Sequence, residues 1–211
     1  SVVSRVLESK DLERTMAILR AAGAGIVRVG EGEYAVSGVG GQPHGGAVDP
    51  VSCDVHESGT TCRLLTAVLA AGMGRFRIHG APRMHERPIG ELTAALESVG
   101  VSFAFEGKPG FPPFVMRTHG LDGGELTIGM DESSQYLSGV LLAAPLARTE
   151  LTVNIGGTKV VSWPYVGLTL QALEQFGVPF TVERRDGEVW SAVDWHTLEE
   201  ARSEERRVGK E

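Results

Sequence analysis

Three stretches of the chain share one pattern of apolar and polar positions. Residues 9–23, 88–100 and 164–177 carry apolar side chains at helical spacing and close on Leu-x-x-x-Gly, at Leu19/Gly23, Leu96/Gly100 and Leu173/Gly177. The periodicity predicts three helices, each stopped by a glycine in the left-handed cap position. Pro88 and Pro164 suit a first helical turn, where no N–H is needed. Gly23, Gly100 and Gly177 recur at one fixed interval, the mark of a duplicated structural unit. Each helix leads into strand, turn and strand, over 25–38, 101–118 and 178–193, with turn formers at Gly32, Lys108-Pro109-Gly110 and Asp186-Gly187. A second helix type covers 58–72 and 133–147, where Leu69-Ala70-Ala71 matches Leu142-Ala143-Ala144. Strands are expected over 75–80, 125–130 and 151–156. One unit therefore reads strand, helix, strand, strand, strand, helix. The fold class is α/β (α+β), with helices packed inward and sheets outside. By this register one helix of the first unit would precede Ser1, so the chain is expected to lack its natural start.

Composition changes little in that picture. The 211 residues are 42% hydrophobic and 22% charged, ordinary for a globular protein of one domain or two small ones. Net charge is −7, and basic residues cluster only at the extreme C-terminus. A nucleic-acid groove or acidic membrane surface is therefore not expected as a partner. No apolar run approaches the ~20 residues of a membrane span. Two cysteines, Cys53 and Cys62, are too few for a disulfide scaffold and point to a reducing cytosol. Neither forms a C-x-x-C pair, and His79 and His85 lack metal-ligand spacing, so no metal site is read. Residues 195–211 are charge-rich and nearly free of core positions, as in a solvated helix, a disordered end or an artefactual one.

Four segments could carry chemistry. Glu57-Ser58-Gly59-Thr60-Thr61-Cys62-Arg63 opens a helix with glycine and hydroxyls. It is either an anion site built on free N–H groups or an ordinary N-cap by Ser58 or Thr60. Asp131-Glu132-Ser133-Ser134-Gln135 opens the matching helix and allows the same two readings. Pro82-Arg83-Met84-His85-Glu86-Arg87-Pro88 sets two arginines before a helix. They would grip a carboxylate or phosphate, or form a surface pair with Glu86. Ser162-Trp163-Pro164-Tyr165 is the counterpart loop, offering hydroxyls to a sugar-like ring or its phosphate, or a cap and a packing tyrosine.

The blocks SGTTCR, GAPRMHERPIGEL, DESSQYLSGVLLAAPLA and SWPYVGLTLQALEQFGV, in this order and spacing, resemble the 5-enolpyruvylshikimate-3-phosphate synthase family. The resemblance covers residues 1–193 and implies one lobe, the N-terminal-type lobe, of the enolpyruvyl transferase fold, built of βαβαββ units. Residues 194–211 fall outside it. It implies transfer of the enolpyruvyl group of phosphoenolpyruvate to the 5-hydroxyl of shikimate 3-phosphate, with release of phosphate and no metal or organic cofactor. Carried over by motif, Gly59, Arg87 and Gln135 would meet phosphoenolpyruvate. Ser133, Ser134, Gln135, Ser162 and Tyr165 would hold shikimate 3-phosphate, with Thr60 and Arg63 in support. No catalytic acid or base is assigned within the chain. The herbicide glyphosate, which occupies the phosphoenolpyruvate site in this family, would depend on Gly59 and Arg87.

The departures are specific. Glu57 stands where the family often has Asn, and Trp163 where a basic residue is common. The family's amino-terminal Lys, Ser and Arg ligands and its C-terminal lobe are not in the sequence, so the chain alone is expected to be inactive. The other readings are an isolated shikimate-3-phosphate-binding half-site, and a related UDP-N-acetylglucosamine enolpyruvyl transferase, which the Ser-Ser-Gln and Ser-x-Pro-Tyr motifs disfavour. An RNA 3′-phosphate cyclase fits neither the motifs nor the acidic charge. The full-length parent would be a cytoplasmic monomer.

Overall fold

The computed structural model describes residues 1–129, 131–156, 163–183 and 189–191. Two compact units are Ser1–Val161 and Ser162–Glu211. The first opens with β1 (Val2–Val3), α1 (Lys10–Ala21), β2 (Gly25–Gly30) and β3 (Glu33–Ser37). It continues with β4 (Val51–Asp54), α2 (Gly59–Ala70), β5 (Met73–His79), a 3-10 turn (Pro82–Glu86), α3 (Gly90–Glu97), β6 (Ser102–Phe105) and β7 (Phe114–His119). It closes with β8 (Gly124–Gly129), α4 (Ser134–Ala143) and β9 (Leu151–Gly156).

Strand pairing sets the phase of the repeat. One four-stranded sheet runs β4-β5-β7-β6. β4 and β5 are parallel and the other pairs antiparallel. A parallel pair needs a crossover, here α2, so β4-α2-β5-α3-β6-β7 is a complete βαβαββ unit. The sheet β1-β3-β2 repeats the order β5-β7-β6. β8 and β9 are parallel around α4, as β4 and β5 are around α2. The cycle expected from the sequence is the same cycle, entered at a different strand. Gly23, Gly100 and Gly177 all adopt positive φ, as the repeated helix stop requires.

The core follows the pattern. On β5 and β7, Phe76, Ile78, Phe114 and Met116 point inward and are at most 1% exposed. Arg77 and Arg117 alternate with them toward solvent, as in an antiparallel sheet with one wet face. α2 is buried through Thr61, Cys62, Leu65, Thr66, Leu69 and Ala70. α4 is buried through Ser134 and Tyr136 to Val140. These two helices form the interior pair, and their N-termini lie side by side.

In the second unit, α5 (Trp163–Gln175) is followed by β10 (Thr181–Glu183) and β11 (Val189–Ser191), an antiparallel pair. Pro164 is the second residue of α5, and Val166, Gly167, Leu170 and Leu173 form its buried stripe.

Several expectations shift. α3 begins at Gly90 with Ile89 as its cap, so Pro88 precedes the helix instead of opening it. Arg87 is extended, with φ −92 and ψ 122, the conformation a following proline enforces. The single helix expected over 133–147 ends at Ala143 and becomes a 3-10 turn over Ala144–Leu146, because Pro145 has no N–H to continue it. β5 starts two residues earlier than the predicted strand, at Met73. β1 and β4 have no counterpart in the sequence reading, being too short for periodicity to register. Ser162, the Asp186-Gly187 turn and residues 194–211 lie outside the described residues. No described helix is long and apolar enough to cross a membrane.

Candidate active site

The site is assembled from three chain segments that meet at the start of α2. Ser58 caps that helix, its Oγ accepting from the Thr61 N–H at 3.2 Å. The cap is reinforced from behind. Thr61 Oγ1 lies 2.7 Å from Ser58 Oγ and 2.8 Å from Thr15 Oγ1 on α1. Of the two readings of this segment, capping is therefore realised by Ser58. The N-terminal end of the helix dipole, with its leading N–H groups, lies at Gly59 and Thr60.

The start of α4 is capped in the same way, Ser133 Oγ accepting from the Gln135 N–H at 3.2 Å. Ser133 and Ser134 are both buried. Gln135 then bridges the two helices. Its Nε2 donates to Thr60 Oγ1 at 2.9 Å, and its Oε1 accepts from Arg63 Nη1 at 2.9 Å. Both ends of the amide are thus satisfied, which fixes its orientation. The approach is possible because Gly139 has no side chain where α4 crosses Arg63, Leu64 and Ala67 of α2.

The third segment carries Arg87. Its loop is anchored by Met84, which is 2% exposed in the 3-10 turn. The Arg87 guanidinium lies over Gly59: a β-carbon built there would sit 2.6 Å from Arg87 Nη1 and 4.0 Å from Arg63 Nη1. Among the described residues neither arginine has a carboxylate partner. The surface pairing with Glu86 read from the sequence does not form among them either. Two guanidinium groups therefore converge at a helix N-terminus, an arrangement suited to a phosphate or carboxylate.

Beneath them lies Cys62, whose thiol burial pushes up to about 12, against the opposing pull of Arg63 and Arg87. Burial alone pushes the Cys53 thiol equally far, to about 12. Cys53 is 1% and Cys62 3% exposed, so neither resembles a nucleophile. Iodoacetamide at pH 8 is expected to label neither cysteine in the folded chain and both after unfolding. Rapid labelling of the native chain would contradict this.

The structure thus brings Gly59, Thr60, Arg63, Arg87, Ser133, Ser134 and Gln135 into one place. Ser162 lies outside the described residues. Tyr165 belongs to the second unit, on α5, and is 63% exposed. Glu57, the unusual residue before the motif, is exposed. Among the described residues no group of three or more His, Cys, Asp or Glu comes together. A separate open groove of about 520 Å³ between α3 and β8, lined by Glu91, Ser98 and Thr127 among others, contains none of the expected site residues. The sequence reading missed two contributors. Thr61 signalled itself only as one more hydroxyl at a helix start. Tyr136, one residue after Gln135, reads as an ordinary buried aromatic.

A family model described as EPSP synthase (3-phosphoshikimate 1-carboxyvinyltransferase) matches residues 1–190. The 3-phosphoshikimate 1-carboxyvinyltransferase of Marinomonas sp. (strain MWYL1) is 40% identical over 182 residues, covering 83% of this chain and 41% of the relative. That of Nitrosomonas europaea is 40% identical over 178 residues, covering 84% and 40%. A solved structure of EPSP synthase from Acinetobacter baumannii superposes with a TM-score of 0.70 at 25% identity, over 90% of this chain and 41% of that one. The chain spans about two-fifths of the length of these relatives.

Proposed function

The chain belongs to the EPSP synthase family, and from that premise we propose that it forms one substrate-binding half of a transferase joining phosphoenolpyruvate to shikimate 3-phosphate. In that reaction a proton is added to the methylene carbon of phosphoenolpyruvate. The 5-hydroxyl attacks the adjacent carbon and loses its proton; phosphate then leaves as the new methyl group gives up a proton, which restores the double bond. The demand on this half is positioning and positive charge. The single observation that carries the reading is the convergence of Arg63 and Arg87 at Gly59, tied through Gln135 to the start of α4.

In this assignment Arg87 grips the carboxylate or phosphate of phosphoenolpyruvate, and Gly59 offers backbone where a side chain would intrude. Gln135 faces both substrates, while Arg63 and Thr60 hold it. Ser133 and Ser134 serve shikimate 3-phosphate; the motif resemblance also implies Ser162 and Tyr165 as its ligands. We assign residues 1–193 to the lobe and 194–211 to a separate tail. We assign the proton-transfer groups to the family's second lobe, and the reaction to the cytosol.

The test is calorimetric titration of the chain with shikimate 3-phosphate and, separately, phosphoenolpyruvate. Saturable shikimate-3-phosphate binding is expected, weakened at least about tenfold in Ser134→Ala by loss of a hydrogen bond to a charged group. Equal affinity in the variant removes Ser134 from the site. Preference for a UDP-sugar would move the chain to the related transferase.

A further inference from the structure

Tyr136 is 0% exposed, and it contacts each of the other two segments that build the site. Its hydroxyl donates to the Pro88 carbonyl at 2.7 Å, directly after Arg87. Its ring lies under the Arg63 guanidinium, 5.4 Å from ring centroid to Cζ. Its own backbone adjoins Gln135, which bonds Arg63 and Thr60. One side chain therefore touches the loop that presents Arg87 and the helix that presents Arg63.

We propose that Tyr136 is a positioning residue that sets the two arginines relative to one another: its hydroxyl holds the Arg87–Pro88 segment against α4, and its ring carries Arg63. This rests on the assignment of Arg87 to phosphoenolpyruvate. The loop needs such a tie. Its cap at Ala81 makes no side-chain hydrogen bond, and Arg87 is extended. Its nearest backbone anchors are Arg87 N–H to Met84 O at 3.1 Å and Ile89 N–H to Gly110 O at 2.9 Å. Between those two bonds the Pro88 carbonyl is held by the tyrosine. The hydroxyl has a second acceptor, Glu132 Oε2, at the longer distance of 3.3 Å. Burial pushes the Tyr136 hydroxyl up to about 12, with Arg63 opposing and Glu132 adding to the rise. It therefore remains a donor throughout neutral pH. A phenylalanine would keep the ring under Arg63 but lose the tie to Pro88, together with the hydroxyl's own contact to Arg63.

The experiment is Tyr136→Phe in the chain, read by residue-resolved amide exchange and by titration with phosphoenolpyruvate and shikimate 3-phosphate. Loss of one buried hydrogen bond predicts exchange at Arg87 and Ile89 faster by about fivefold to tenfold. The amides of mid-α4, such as Val140, are expected to be unchanged. Phosphoenolpyruvate affinity is expected to fall by a similar factor with shikimate-3-phosphate affinity retained. Glu132→Gln is expected to leave exchange at Arg87 and Ile89 as in the parent. Unchanged exchange at these amides in Tyr136→Phe overturns the proposal, as does acceleration spread over the whole core, which would make Tyr136 a packing residue. Equal acceleration in Glu132→Gln also overturns it, by moving the tie to Glu132. If Tyr136→Phe frees the loop as expected while Arg87→Ala leaves phosphoenolpyruvate binding untouched, the assignment of Arg87 falls and the structural tie stands.

Discussion

Arg87→Ala is expected to weaken phosphoenolpyruvate binding by about 2–4 kcal/mol, because it removes a charge-assisted, two-pronged contact to an anion. Shikimate 3-phosphate is expected to lose far less. The selectivity follows from position. Arg87 reaches the site from the loop before α3 and lies over Gly59 on α2, whereas Ser133 and Ser134 open α4. Arg87→Lys keeps the charge without the planar fork, so it should recover only part of the loss. Arg87 is exposed and without a carboxylate partner among the described residues, so phosphoenolpyruvate affinity should also fall as salt is raised. Parallel titrations of the two substrates decide the matter. An equal loss for both would make Arg87 a general electrostatic contributor and not the phosphoenolpyruvate ligand.

The repeat was legible because its punctuation is chemical. A glycine at positive φ stops a helix regardless of what packs around it, so Gly23, Gly100 and Gly177 marked three real ends. The caps were legible for the same reason: Ser58 and Ser133 act on N–H groups two or three residues away. What stayed hidden depends on distance along the chain. Gln135 bonds Thr60 across 75 residues and Arg63 across 72, and Tyr136 reaches Pro88 across 48. No local pattern encodes such partners. The motif resemblance could name Arg63, Arg87 and Gln135 as neighbours of one ligand. It could not give the order of support, in which α1 braces the cap of α2 through Thr15 and Thr61. The start of α3 was misread because Pro88 fits a first turn, while tertiary contacts use its carbonyl elsewhere.

That dependence on long-range approach predicts a second large effect, at a glycine buried where α4 crosses α2. Gly139→Val is expected to destabilise the chain by about 1–3 kcal/mol or somewhat more. A β-carbon built at Gly139 would lie 3.1 Å from Arg63 O, 3.2 Å from Ala67 Cβ and 3.3 Å from Leu64 Cα. Two of these atoms are backbone, which no rotamer change moves, and valine adds two further methyl groups to the same space. α2 and α4 must therefore separate. Gly139→Ala should cost much less, because one methyl needs a shift of only a few tenths of an ångström and alanine gains helix propensity of about 1 kcal/mol over glycine. The midpoint of thermal unfolding should drop by about 2–4 °C for each kcal/mol lost. The functional signature should differ from that of Arg87→Ala. Separating the helices breaks the 2.9 Å bonds from Gln135 to Arg63 and Thr60 together, so affinity for both substrates should fall in parallel. If Gly139→Val kept the parent's stability and both affinities, the close crossing of α2 and α4 would not be what holds Gln135 in place.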